Sequence, residues 1–86
     1  MPEISRFFGI VIKMFFDDHN PPHFHAEYGD YTALIDIRNL SAFSGRLPPR
    51  VMGFVVEWAT LHQQELIADW QRARAQQGLH RIPPLE

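Results

Sequence analysis

Residues His23 to Ile37 constrain this chain more than any other stretch. Polar and apolar side chains alternate on either side of Gly29-Asp30, a two-residue turn with Gly first, the order a type II′ hairpin takes. Counting outward from that turn sets Tyr28 opposite Tyr31, Ala26 opposite Ala33 and Phe24 opposite Ile35 on one face. On the other face Glu27 meets Thr32, His25 meets Leu34 and His23 meets Asp36. Successive strand residues point to opposite faces, so a slip of one residue would mix the two sets. The expectation is a solvent-accessible face carrying His23, His25 and Glu27, with Phe24, Ala26 and Tyr28 packed toward a helix.

Upstream, Ile10, Ile12, Met14 and Phe16 share one face of a strand over Gly9 to Phe16, with Val11, Lys13 and Phe15 on the other. Asp17 to Pro22 is a loop rich in Asp, Asn and Pro. Residues 38–47 read as a second loop, anchored by Phe43 and Leu47. Pro48-Pro49 suits a helix start and Gly78 its end. Between them Val51, Val55, Trp58, His62, Leu66, Trp70 and Ala73 recur at intervals of three and four, which predicts one long amphipathic helix over 48–77. Residues 78–86 form an extended tail in which Ile82 and Leu85 can dock.

A sheet with one apolar face needs a cover, and this helix is the available one. The predicted fold is therefore α+β: a three-stranded antiparallel sheet within residues 4–37 packed on one long C-terminal helix (β-β-β-α), a single domain over 1–86. An apolar fraction of 45%, with seven Phe, two Trp and two Tyr, is enough for a core in a chain of 86 residues.

Composition excludes several classes. With no cysteine, disulfide scaffolds, thiol nucleophiles and Cys-based zinc sites are ruled out, so a metal would have to use His and carboxylates. A net charge of −2 argues against a surface wholly built to grip nucleic acid, although Arg46 and Arg50, flanking the helix start, suit a local phosphate contact. No apolar run approaches the roughly 20 residues of a membrane span. The longest, Phe7 to Phe16, is broken by Gly9 and Lys13 and has neither a basic start nor a small-residue cleavage site, so a cytoplasmic location is expected.

Three of the five histidines, His19, His23 and His25, fall in nine residues that begin with Asp17-Asp18. Pro21-Pro22 favours an extended chain into His23-Phe24-His25, which places both imidazoles on one face. Imidazoles titrate near neutral pH, ligate metals and relay protons. One reading makes them acid and base for phosphodiester cleavage, with Asp36 orienting His23 and Lys13 stabilising negative charge. Another makes His19, His23, His25 and Asp18 ligands of a divalent metal ion, with Asp17 or Glu27 available to complete the set. A third leaves them as polar residues of a solvated or partner-facing surface, the Asp pair capping a turn. His62, Trp58 and Trp70 lie on the helix stripe and read as core.

The opening Pro2-Glu3-Ile4-Ser5-Arg6-Phe7-Phe8-Gly9-Ile10 and the run Asp18-His19-Asn20-Pro21-Pro22-His23-Phe24-His25 closely resemble a bacterial family of unknown function. The likeness extends through Leu47-Pro48-Pro49 and the Trp-containing helix, nearly end to end. It implies a gene arrangement similar to toxin–antitoxin pairs, hence a small partner protein encoded nearby. A fainter resemblance to the HicA-like toxins, small β-β-β-α RNA-binding folds, rests on the hairpin histidine and adds RNA as a target. Two open sheet edges predict a homo- or hetero-oligomer.

Overall fold

The computed structural model describes residues 2–86. The His23–Ile37 alternation folds as expected: β3 (His23–Tyr28) and β4 (Tyr31–Asp36) pair antiparallel with His23 opposite Asp36 and Tyr28 opposite Tyr31. Gly29 has φ 56° at the first turn position, as type II′ geometry requires. Around this hairpin, however, the sheet has five strands rather than three, in the order β1-β2-β3-β4-β5.

The additional strands are β1 (Glu3–Phe7) and β5 (Ala42–Gly45), while β2 (Ile10–Lys13) is shorter than the predicted Gly9–Phe16. β1 joins β2 through Phe8-Gly9, with φ of 52° and 78°; positive φ at both positions is the type I′ arrangement. Phe is an uncommon occupant of that first position, so the turn carried no sequence signal. β5 has only four residues, all exposed, and no alternation to betray it. Its Gly45, at φ 69°, lies so close to β4 that a Cβ there would stand 2.0 Å from the Thr32 carbonyl oxygen.

The single long helix is also corrected: α1 (Pro49–Leu61) and α2 (Gln63–Arg74) are separated at His62, where φ −123° and ψ 24° leave helical geometry. No Pro or Gly stands at the break, so local propensity did not announce it. Tertiary contacts decide it instead. The Gln63 amide donates to the carbonyls of Ile37 (2.8 Å) and Arg38 (3.1 Å), tying the start of α2 to the end of β4. Breaking a helix forfeits hydrogen bonds worth about 1 kcal/mol each. Burying Leu66 and Trp70 on the new heading returns roughly 1.5–3 kcal/mol apiece.

The apolar stripe read from the sequence survives the break: Val51, Val55, Trp58, Leu66, Trp70 and Ala73 are buried, and only His62 is half-exposed. Trp58 packs edge-on to Phe24 (5.9 Å between ring centroids) and beside Phe7 (5.3 Å), placing α1 on the Phe24 face of the sheet. α2 closes with Gln76 in the left-handed region (φ 59°), Gln77 N–H on Arg72 C=O (2.8 Å) and Gln76 N–H on Ala73 C=O (3.1 Å). This is a Schellman motif that uses Gln76, not the expected Gly78.

The tail docks against the body of the domain and covers one sheet edge. Ile82 N–H donates to Ile4 C=O at 2.8 Å, Arg81 reaches the Glu3 carboxylate at 2.9 Å, and Trp58 Nε1 donates to Pro83 C=O at 2.8 Å. Asp69, fully buried on α2, accepts from His80 N–H (2.9 Å) and Arg72 (2.8 Å) and fixes where the tail departs.

Candidate metal centre

The site forms where β2 ends and β3 begins. Three side chains converge there: Asp18 from the intervening loop, and His23 and His25 from β3, with one ligand atom of each lying within 4.8 Å of the others. His25 Nε2 is 3.0 Å and His23 Nε2 3.3 Å from the same oxygen, Asp18 Oδ2. The two histidines share a face because they are two apart on a strand, their rings 5.4 Å apart. The loop folds back to deliver Asp18 through Asn20-Pro21-Pro22, with a cis Asn20–Pro21 peptide bond.

His23 Nδ1 lies 2.8 Å from the Pro21 carbonyl oxygen. A carbonyl only accepts, so this contact puts the ring proton on Nδ1 and leaves the Nε2 of a neutral ring with its lone pair. That lone pair faces a carboxylate oxygen. Two acceptors in contact need a cation between them, either a second proton on His23 or a metal ion. A backbone carbonyl on the far nitrogen is also the arrangement that orients metal-ligating histidines. Ligands about 2.0–2.1 Å from a zinc ion stand roughly 2.9–3.4 Å from one another at octahedral to tetrahedral angles. Both histidine–Asp18 distances fall in that interval.

The setting differs from the open face expected of the sequence. His23 is buried, with 5% of its surface exposed, between Trp70 of α2 and Phe43 of β5, each with its ring centroid 5.3 Å away. His25 is half-buried with Phe15 edge-on at 4.5 Å. The two elements responsible, β5 and the redirected α2, are those the strand pattern did not reveal. Tyr28, expected beneath the helix, is 37% exposed, whereas Phe24 and Ala26 are buried as expected.

The other candidates separate. Asp36 stands opposite His23 in the register, but its Oδ1 accepts from the backbone N–H of Arg38 (2.7 Å) and Asn39 (3.3 Å), capping the β4–β5 turn rather than orienting the imidazole. Lys13 is the β2 neighbour of His25 and pairs with Glu27 at 3.0 Å. His19 and Asp17 are exposed and lie outside the cluster. What sequence reasoning missed is the support for His23: the Pro21 carbonyl, Phe43 and Trp70. Trp70 had a signal, its place on the helix stripe, but that signal reads only as core.

A five-stranded antiparallel sheet with two helices, and a cluster of two histidines and one aspartate at one end, define the class: a small α+β domain with a candidate metal centre. Residues 9–71, most of the chain, match the profile of DUF4160, a domain of unknown function, and the protein belongs to that family. No curated protein and no solved structure matches it. Among the described residues no helix is long and apolar enough to cross a membrane.

Proposed function

We propose that this is a metal-binding domain in which Asp18, His23 and His25 hold one divalent cation, zinc being the first candidate for a site of imidazole and carboxylate. The observation that supports it most is the His23 ring, whose Nδ1 is committed to Pro21 while Nε2 points at the Asp18 carboxylate that also meets His25. Three protein ligands leave a coordination position for water or substrate, as catalytic rather than structural zinc sites do. Burial of His23 against Trp70 and Phe43 holds one ligand rigid, and the half-exposed His25 and Asp18 leave a path from solvent.

Metal analysis of the purified domain, and calorimetric titration of chelator-stripped protein with Zn2+, test this. One equivalent should bind, His23→Ala, His25→Ala and Asp18→Ala should each lose it, and His19→Ala should keep it. Affinity should fall as the pH is lowered, because only neutral imidazole coordinates. A wild type that takes up no metal, or binding indifferent to all three substitutions, overturns the reading.

A second reading is favoured by the His25–Asp18 contact of 3.0 Å between two partly exposed side chains, a pair suited to acid–base chemistry. Here the domain is one component of a toxin–antitoxin-like pair, with a small protein encoded nearby as partner, and cleaves RNA without metal. Chelator-treated protein would then cleave RNA with a bell-shaped pH profile, and co-expression of the neighbouring gene would suppress its toxicity.

A further inference from the structure

At the opposite end of the strands, about 16 Å along β3 from His23, the two hairpin turns and the start of α1 bring four aromatic rings and two arginines into one arc. The Arg50 guanidinium lies 5.8 Å from the centre of the Phe54 ring. Phe54 is 5.2 Å from Phe8. Phe8 is followed by Gly9, which packs against the Tyr28 ring, a Cβ built there standing 3.6 Å from Tyr28 Cε1. Tyr28 is the cross-strand partner of Tyr31, and the Arg46 guanidinium lies 5.8 Å from the Tyr31 ring centre. Phe8, Tyr28 and Tyr31 are 55%, 37% and 39% exposed.

We propose that this arc is a binding surface for single-stranded nucleic acid, with unpaired bases stacking on Phe8, Tyr28 and Tyr31 and phosphates held by Arg46 and Arg50. Three features select that partner. The rings are aromatic without exception, and base stacking uses any exposed π-face. An arginine closes each end, and neither has a carboxylate at ion-pair distance among the described residues. A guanidinium lying over a ring also keeps its edge donors free for phosphate oxygens. A duplex is a poorer fit because its bases are already stacked on each other. Glu27, adjacent to Tyr28, is paired with Lys13, but the exposed Asp30 in the hairpin turn beside Tyr31 and Glu57 one turn beyond Phe54 add negative charge beside the arc, which makes binding weak and sensitive to salt. The surface is separate from the histidine cluster, so the proposal does not depend on the metal reading.

Fluorescence anisotropy with labelled oligouridylate and oligodeoxythymidylate of about a dozen nucleotides tests it at low salt. Both strands should bind, and Tyr28→Ala and Tyr31→Ala should each weaken binding roughly tenfold. With both arginines engaged, log affinity against log salt should fall with a slope of about −1.4, and Arg46→Ala or Arg50→Ala should reduce it to about −0.7. Preference for the ribose strand would point to RNA as the natural ligand. Circular dichroism shows whether each variant is folded, and binding must be equal with and without chelator. No binding by the wild type, binding unchanged by the four substitutions, or binding lost on chelation would overturn the proposal. So would a dimer in light scattering that Tyr31→Ala breaks without any oligonucleotide bound, which would assign the arc to a second copy of the chain.

Discussion

The imidazole of His23 and the indole of Trp70 stand 5.3 Å apart at an interplanar angle of 49°, so a helix assigned to the core is also a wall of the candidate metal centre. Trp70 is thereby an internal reporter. With Trp58→Phe silencing the other indole, adding Zn2+ to stripped protein should change Trp70 emission and saturate at one equivalent. The change should vanish in His23→Ala. Emission that ignores the metal while calorimetry records its binding would place the ion away from His23.

Gly45 tests the fifth strand. Its positive φ and the 2.0 Å approach of a built Cβ to the Thr32 carbonyl leave no room for a side chain. Gly45→Ala should cost about 1–3 kcal/mol for the left-handed backbone alone. Because β5 carries Phe43 against His23, zinc affinity should fall with stability in urea denaturation and calorimetry.

Two helix positions should move the other way. Gly53 is exposed inside α1 with nothing within 4 Å of a built Cβ, so Gly53→Ala should stabilise by about 1 kcal/mol. Gln76 occupies the left-handed capping position of α2, where Gln76→Gly relieves about 1–2 kcal/mol of backbone strain against a smaller entropic loss. Thermal unfolding should show both midpoints raised. A lowered midpoint for Gln76→Gly would mean that α2 does not end in this motif.

Glu3 predicts an acid dependence. Hydrogen bonds from Arg6 and Arg81 hold its carboxyl down from 4.5 to about 2. A depressed folded value means that the contribution is complete above the ordinary range of the carboxyl and is lost as the pH falls through about 2. Wild type should therefore exceed Glu3→Gln in stability near neutral pH, the gap closing between pH 4.5 and 2. Since Arg81 lies on the tail, the protection of the Ile82 amide relative to its intrinsic exchange rate at each pH should fall over the same interval.

Local chemistry determined the central hairpin and the pairing of elements with their apolar faces. Gly29 favours the turn, side chains alternate with a period of two, and only one register keeps Phe24 with Ile35 and His23 with Asp36. The helix stripe was legible for the same reason, since burial follows the 3.6-residue period whether or not the helix is continuous. The cluster was legible in part: His23-x-His25 with a preceding Asp18 marked its three members by type and spacing.

Tertiary structure alone decided the rest. β1 and β5 are short strands stabilised by their neighbours, through an uncommon Phe8-Gly9 turn and a Gly45 whose need is visible only against Thr32. The break at His62 comes from Gln63 reaching the end of β4, a contact separated by some 26 residues of chain. β5 and the redirected α2 bury His23 between Phe43 and Trp70, whereas the β2–β3 loop sets Asp18 and the Pro21 carbonyl on its two nitrogens. Local sequence specifies which side chains share a face, because that follows from backbone periodicity. What stands opposite them depends on contacts between segments distant along the chain, and no local pattern encodes those.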